Sequence, residues 1–290
     1  MKYVDLHVHS TASDGTLSPT EVVELALEKD LAAIALSDHD TVKGISEAQS
    51  AAAYFNQLPE TRAAHKHLEV IPATELSCYY GNTEIHILGL FVDHTNEYLV
   101  TKLHEYESVR TERNYKMLKR FQDDGFDITL EDLQSGNPNT VITRAHFARA
   151  LVEKRYCKDK NAAFAKYLGK DCKYYVSRVK VQPEEAISLI LEANGLPFLA
   201  HPMLYNLGYN QVEELVQYLI SLGLKGIEAY HSSNNISQSD KLRSLAYKYN
   251  LAVSGGSDFH GSNKPDIALG TGRGGLRVTE HILNEIKKLC

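Results

Sequence analysis

Seven short apolar runs, separated by amphipathic stretches, constrain this chain more than any other feature. They are Tyr3 to Leu6, Ala32 to Leu36, Leu68 to Ile71, Ile85 to Val92, Pro197 to Ala200, Gly226 to Ala229 and Leu251 to Ser254. Each has the length and composition of a buried strand, and helical spacing dominates between most of them. The clearest helix opens at Ser18-Pro19, a capping residue followed by proline at the first helical position. Val22, Val23, Leu25, Ala26 and Leu27 then form an apolar stripe, leaving Glu21, Glu24, Glu28 and Lys29 for water. PEEAISLILEAN and QVEELVQYLISLG repeat that design. Strands alternating with helices predict a parallel α/β architecture. Periodicity alone does not separate a closed barrel from an open sheet.

One stretch breaks the rhythm. From Asn96 to Val181 no strong strand run occurs, and the segments LVTKLHEYESVRTERNYKMLKRFQDDG, TLEDLQS, TRAHFARALVEKR and NAAFAKYLG read as helices. The stretch is also richer in Lys and Arg than the rest. A chain of 290 residues suits one large domain or one domain with an insert. The expectation is therefore a discontinuous barrel, 1–95 and 182–290, with a helical insertion, 96–181, over the active-site face.

Charge and cysteine usage narrow the function. A net charge of −6 disfavours a broad nucleic-acid clamp, which relies on dense Lys and Arg, yet leaves room for one basic pocket that binds a small phosphate ester. Cys78, Cys157, Cys172 and Cys290 form no C-x-x-C pair, so neither a zinc ribbon nor a redox motif is indicated. The opening MKYVDLHVHS does not read as a signal peptide, and no apolar run approaches the ~20 residues of a membrane span. A cytoplasmic location and no membrane partner are expected.

Candidate metal ligands sit at or near the predicted strand ends. His7 and His9 close the first strand and Asp14 follows. Asp38, His39 and Asp40 close the second, and Glu75 follows the third. His86 lies in the fourth, His201 closes the fifth, Glu228 lies in the sixth, and Asp258 and His260 close the seventh. In an α/β barrel the C-terminal strand ends converge on one face, so ligands distant in sequence meet there. Residues two apart on a strand share a face, which applies to His7 with His9 and to Asp258 with His260. Imidazole and carboxylate ligands suit Zn, Mn or Fe, and about nine of them are enough for two or three ions with Glu75 bridging. A lone strand-end histidine is more often a solvated or core residue. His65, His67, His94, His104 and His281 are read that way.

DLHVHSTASDG, LSDHD, the Glu of PATELS, EIHILGL, AHP and GGSDFH, in this order, resemble the motifs of the PHP (polymerase and histidinol phosphatase) superfamily. The resemblance covers the whole chain. TRAHFARALVE, AKYLG and EIHILGL are similar to one branch, the 3′,5′-nucleoside bisphosphate phosphatases, which includes 5′-to-3′ exoribonucleases of the RNase AM kind. The resemblance implies a distorted seven-stranded (β/α)7 barrel with three metals, usually manganese, iron or zinc. It implies that His7, His9, Glu75 and Asp258 hold the first ion, Glu75, His86 and His201 the second, and Asp14, His39 and His260 the third. In one place the chain departs from the branch. The segment after AHP often reads Gly-Arg-Tyr there, and here it is Met203-Leu204-Tyr205.

The chemistry expected is phosphate-ester hydrolysis by water activated between metals roughly 3.5–4 Å apart. No side-chain nucleophile is required, and GGSDFH lacks the G-x-S-x-G elbow of serine hydrolases. His231 is the candidate general acid. Arg144, at a helix start, is a candidate phosphate ligand, with His146 and Arg149 in the same segment and with Lys166 and Tyr167 as a charge and a stacking face. The charged stretch Arg110, Arg113, Lys116, Lys119 and Arg120 reads as a solvated face. The expected substrate is a 3′,5′-bisphosphonucleoside, an AMP-like nucleotide or a short RNA 5′ end. Histidinol phosphate or another small phosphoester, and a non-catalytic metal-stabilised module, are the alternatives.

Overall fold

The computed structural model describes residues 2–134, 136, 140–177 and 181–290. Residues 135, 137–139 and 178–180 of the expected insert lie outside that set. The strands are β1 (Tyr3–Val8), β2 (Leu31–Leu36), β3 (Glu69–Tyr80), β4 (Thr83–Leu90), β5 (Leu196–Leu199), β6 (Gly226–His231) and β7 (Ala252–Gly256), side by side in chain order. The helices that alternate with them begin with α1 (Pro19–Glu28), α2 (Ile45–Phe55) and α3 (Pro59–Ala63). A helical segment follows, with α4 (Glu97–Asp123), α5 (Leu130–Gln134), α6 (Arg144–Glu153), α7 (Lys160–Ala163) and a π-helical turn at Phe164–Leu168. The chain then returns through α8 (Pro183–Glu192), α9 (Tyr209–Leu222), α10 (Ile236–Lys248) and α11 (Glu280–Lys287).

The sheet curls into a nearly closed barrel. Its seam is sealed just beyond β7, where Phe259 bridges Val8, His9 N donates to Phe259 O at 3.0 Å, and Asp258 N donates to His7 O at 3.0 Å. Buried Asp5 reinforces the seam by accepting the N–H groups of Ser257 at 2.7 Å and Gly270 at 2.8 Å. The seam therefore sits beside the residues that end β1 and follow β7, which are the candidate ligands.

The expectation of uniformly parallel strands is corrected at β4. It runs antiparallel to both β3 and β5, while the other neighbouring pairs are parallel. No helix separates β3 from β4. A tight turn at Gly81-Asn82 joins them, and Gly81 has φ +59°, a conformation glycine adopts without a Cβ penalty. The reversal explains why His86 lies near the start of its strand and still reaches the ligand face.

Apolar residues sort into layers. Val4, Leu6, Ala33, Ala35, Ile71, Ala73, Leu88, Leu90 and Phe198 fill the barrel, and Leu283 and Ile286 of α11 pack into the same cluster. Helices α1 and α2 cover β1 to β3 through Val22, Val23, Ala48 and Ala52, and α8, α9 and α10 cover the other side. A separate cluster, including Met117, Phe121, Leu133, Phe147, Leu151 and Leu168, lies wholly inside the helical segment. Among the described residues no helix is long and apolar enough to cross a membrane.

Candidate metal centre

Glu75 is the meeting point of the cluster at the barrel mouth. Its Oε2 lies 3.3 Å from His7 Nε2, 3.3 Å from His9 Nε2 and 3.0 Å from His39 Nδ1. Its Oε1 lies 2.8 Å from His86 Nδ1 and 2.9 Å from His201 Nε2. Backbone pairing sets this position, because Asp40 N donates to Glu75 O at 3.0 Å and Glu75 N donates to Asp38 O at 3.2 Å. Two other carboxylates flank the centre. Asp14 Oδ1 sits 3.2 Å from His260 Nε2 and 3.9 Å from His39 Nε2. Asp258 Oδ1 sits 3.3 Å from His260 Nδ1, 3.6 Å from His9 Nε2 and 3.8 Å from His7 Nε2. His201 (φ 28°) and Asp258 (φ 59°) both occupy the left-handed region, a strained backbone of the kind that collects at functional sites.

Without a cation the cluster's carboxylates stay ionised and its imidazoles divide: against burial, Glu228 and Glu75 hold His7, and Glu75 and Asp14 hold His39, above the ordinary imidazole range, while His9 and His201 are lowered. Burial pushes Glu75 toward the neutral form, but the imidazoles of His39, His86 and His7 outweigh it and hold the carboxyl well below its usual range. Asp14 and Asp258 are held down against burial too, by His260 and His39 for Asp14 and by Lys264 and His260 for Asp258. Burial keeps His9 neutral, helped by His260 nearby, and lowers His201 to about 4. Carboxylates and neutral imidazoles are the forms that bind metal. His7 Nε2, both His9 nitrogens, Asp14 Oδ1, Glu75 Oε2 and His201 Nδ1 are buried and have no hydrogen-bond partner among the described residues. A buried polar atom left this way costs about 1–3 kcal/mol, and so many at one point fit divalent cations. Three groups have ligand atoms close enough to share an ion: His9, Asp14, His39 and His260; His7, His9 and Glu75; and His39, Glu75 and His86.

A cavity of about 340 Å³ opens on this cluster. Asp14, His39, His86 and His201 line it. The helical segment supplies Arg110, Arg113, Arg144 and Phe164, and Glu84, Leu204 and Tyr205 complete the wall. Arg144 Nη2 donates to Glu84 Oε2 at 2.9 Å, and its guanidinium lies 6.0 Å from the Phe164 ring centre and 5.9 Å from that of Tyr175. Buried Arg110 pairs with Asp40.

Residues 5–175 match the PHP domain family. The chain belongs to the PHP family. It is 33% identical over 262 residues to a 3′,5′-nucleoside bisphosphate phosphatase of Chromobacterium violaceum, across 90% of this chain and 88% of the relative. It is 32% identical over 256 residues to the 5′-3′ exoribonuclease Rnm of Escherichia coli, across 88% and 84%. A solved structure from Bifidobacterium adolescentis, assigned as a metal-dependent phosphoesterase, matches with a TM-score of 0.82 at 29% identity, across 98% and 95%. This PHP chain is a hydrolase, a metal-dependent phosphoesterase.

The PHP cluster brings together all nine residues expected as ligands, whereas other expected site residues lie elsewhere. Asp38 is spent on the loop after β1, accepting from Ser10 N at 2.8 Å, Ser10 Oγ at 2.7 Å and Ser13 Oγ at 2.6 Å. Glu228 accepts from His7 Nδ1 at 3.0 Å and from His201 N at 2.7 Å, so it orients two imidazole-bearing positions without joining the cluster. His146 does not line the cavity. It is buried, and its Nδ1 accepts the Thr143 N–H at 2.9 Å, completing a capping box at the start of α6. Tyr167 packs into the core of the helical segment, and Lys166 stacks on its ring at 4.8 Å. The π-helical turn presents Phe164 to the cavity instead. Arg149 donates to the Asp132 and Leu133 carbonyls. The solvated-face reading of α4 is corrected at two positions, Arg110 and Arg113, which are buried, while Arg120 stays exposed and donates to the carbonyls of Lys173 and Tyr175. Sequence gave no signal for Lys264, whose Nζ donates to Asp258 Oδ2 at 2.6 Å. His65, His67, His104 and His281 are exposed, and His94 contacts Ser46 Oγ at 3.3 Å.

Proposed function

We propose that this chain hydrolyses phosphate monoesters of nucleotides, with 3′,5′-bisphosphonucleosides or the 5′ ends of short RNA preferred. The observation that carries the reading is the mixed lining of the cavity, which combines imidazoles and a carboxylate of the cluster with Arg110, Arg113, Arg144 and Phe164 of the helical segment. A doubly phosphorylated nucleoside needs two anion-binding ends, and a flat base needs an aromatic or guanidinium face. The relatives named as a bisphosphate phosphatase and an exoribonuclease support the same substrate class. A cavity of about 340 Å³ suits a small ligand or a chain end, and the net charge of −6 argues against a broad nucleic-acid track.

On this reading His7, His9, Glu75 and Asp258 hold one ion, Glu75, His86 and His201 a second, and Asp14, His39 and His260 a third. Two or three ions of manganese, iron or zinc fit the nitrogen and oxygen donors. When bound, such ions activate water at neutral pH and neutralise phosphoryl oxygens. Arg144 orients the non-reacting phosphate, exchanging its contact with Glu84 for a bidentate one. His231, at the end of β6, is the candidate general acid. Its Nδ1 accepts the Ser233 N–H at 3.1 Å, which leaves Nε2 to face Asp258 Oδ2 at 3.4 Å, beside the ion that Asp258 would hold. Residues 96–181 act as the insertion that carries the substrate wall, a role supported by their separate apolar cluster.

Histidinol phosphate is the rival substrate. Its ammonium group would meet the arginine-bearing wall, which disfavours it. The test is phosphate release with added Mn²⁺ from adenosine 3′,5′-bisphosphate, AMP and histidinol phosphate, and phosphate or mononucleotide release from a short 5′-phosphorylated RNA, with His39→Ala as control. Fastest release from the bisphosphate or the RNA, lost in His39→Ala, is expected. Faster release from histidinol phosphate would overturn the substrate class.

A further inference from the structure

The loop that carries Asp14 is held by the helical segment as well as by the barrel. Val141 N donates to Ala12 O at 3.2 Å, and Thr140 Oγ1 donates to Ser13 O. The Asp14 carbonyl accepts from Asn263 Nδ2 at 2.7 Å, and Lys160 Nζ of α7 donates to the Asn263 carbonyl at 2.7 Å. The carboxylate itself is divided between two regions. Oδ1 faces His260, His39 and His9, while Oδ2 accepts from Thr143 Oγ1 at 3.0 Å.

Thr143 is also the N-cap of α6, the residue immediately before Arg144. Its Oγ1 accepts the Ala145 N–H at 3.1 Å. A hydroxyl has one proton to donate and two lone pairs. His146 Nδ1, 3.3 Å from that oxygen, already accepts the Thr143 backbone N–H, so the hydroxyl proton goes to Asp14. One side chain therefore joins a carboxylate of the cluster to the first turn of the helix that presents Arg144.

We propose that Thr143 is a positioning residue that turns Asp14 Oδ1 toward the cation shared with His39 and His260, and so couples occupancy of that subsite to the seating of α6 and Arg144. This rests on the reading of Asp14 as a ligand. Holding one carboxylate oxygen leaves the other a single direction, and loss of such a contact typically weakens metal binding ~10–100-fold. Substrate seated on Arg144 would then tighten that ion, and the ion would tighten substrate by the same factor.

The test is calorimetric titration of metal-stripped protein with Mn²⁺, comparing wild type, Thr143→Ser, Thr143→Val and Thr143→Gly. Valine keeps the volume without the hydroxyl. Glycine also lacks it but is a tolerated N-cap, costing only a few tenths of a kcal/mol relative to the natural capping residues, which guards against a folding defect. The expected result is ~10–100-fold weaker binding of one ion in the valine and glycine variants, with the remaining ions unchanged and wild-type behaviour in Thr143→Ser. In an Asp14→Asn background, Thr143→Val is expected to have no further effect. Wild-type Mn²⁺ binding in both variants that lack the hydroxyl would overturn the proposal and leave the metal centre standing. Failure of the wild type to bind Mn²⁺ at all would instead overturn the reading of the centre.

Discussion

The barrel mouth and the helical segment face one cavity but are built differently. At the mouth, His7, His9, Glu75 and Asp258 sit on or directly beyond strands whose backbone bonds close the barrel, and all four side chains are buried. Their reach is short, and partners such as Glu228 fix their orientation. Across the cavity, Arg144 is a long, partly exposed side chain that extends from a helix start to Glu84. Its helix belongs to a segment whose apolar cluster is separate from the barrel's. The difference suggests a division of labour. The rigid mouth sets the reaction, because metal geometry tolerates little displacement, and the helical wall sets which phosphate ester is admitted.

Breaking the mouth is expected to have the largest effect. Glu75 contacts five imidazoles, so Glu75→Gln removes the shared charge and leaves a poor acceptor among them. Loss of bound metal and a fall in kcat of roughly a thousandfold, equivalent to about 4 kcal/mol, are expected by metal analysis and steady-state kinetics.

Breaking the helical wall is expected to change binding more than turnover. Arg144→Ala removes one charge-assisted contact worth about 1.5–3 kcal/mol, so KM for a bisphosphonucleoside rises ~10–100-fold while metal content is unchanged. Arg149→Ala sharpens the contrast. Its guanidinium serves the Asp132 and Leu133 carbonyls, so the expected cost is about 1 kcal/mol in urea unfolding, with KM unaltered.

A pH experiment separates the capping role of His146 from a substrate role. Burial lowers this imidazole to about 4, against an ordinary value near 6.5. Below pH 6.5 the unfolded chain takes up a proton that the folded chain refuses, so the contribution is fully present above pH 6.5 and is lost as pH falls toward 4. His146→Gln keeps an acceptor at the capping position without titrating. Its stability curve between pH 4 and 6.5 is expected to be flatter than that of the wild type, with the difference gone at pH 7.5. Parallel curves would show that His146 does not titrate as its burial requires. The smallest effect is expected for Lys166→Ala, which stays within about twofold of wild-type KM because that lysine lies on Tyr167 outside the cavity.

The same division decides what the sequence revealed. Strand-end ligands are legible because the topology forces them together, and His7, His86, His201 and His260 need only be strand neighbours to meet. The reversal of β4 was harder to read, because its signal is only the Gly81-Asn82 turn between two apolar runs. On the helical side, sequence names the helices but not the faces they bury. Lys166 and Tyr167 promised a charge and a stacking face, yet the π-helical turn turns Phe164 to the cavity. Arg110 and Arg113 look like a solvated stripe until α4 docks against the mouth. Asp38 and Glu228 have the composition of ligands, and only their hydrogen-bond partners show that they support the loops and imidazoles around the centre.

The most direct test of the account is phosphate release from adenosine 3′,5′-bisphosphate by chelator-stripped protein as Mn²⁺ is returned stepwise, with bound metal measured at each step. Activity that is absent in the stripped chain and rises with occupancy until two or three ions are bound is the expected result. Full activity with less than one ion bound per chain would contradict it.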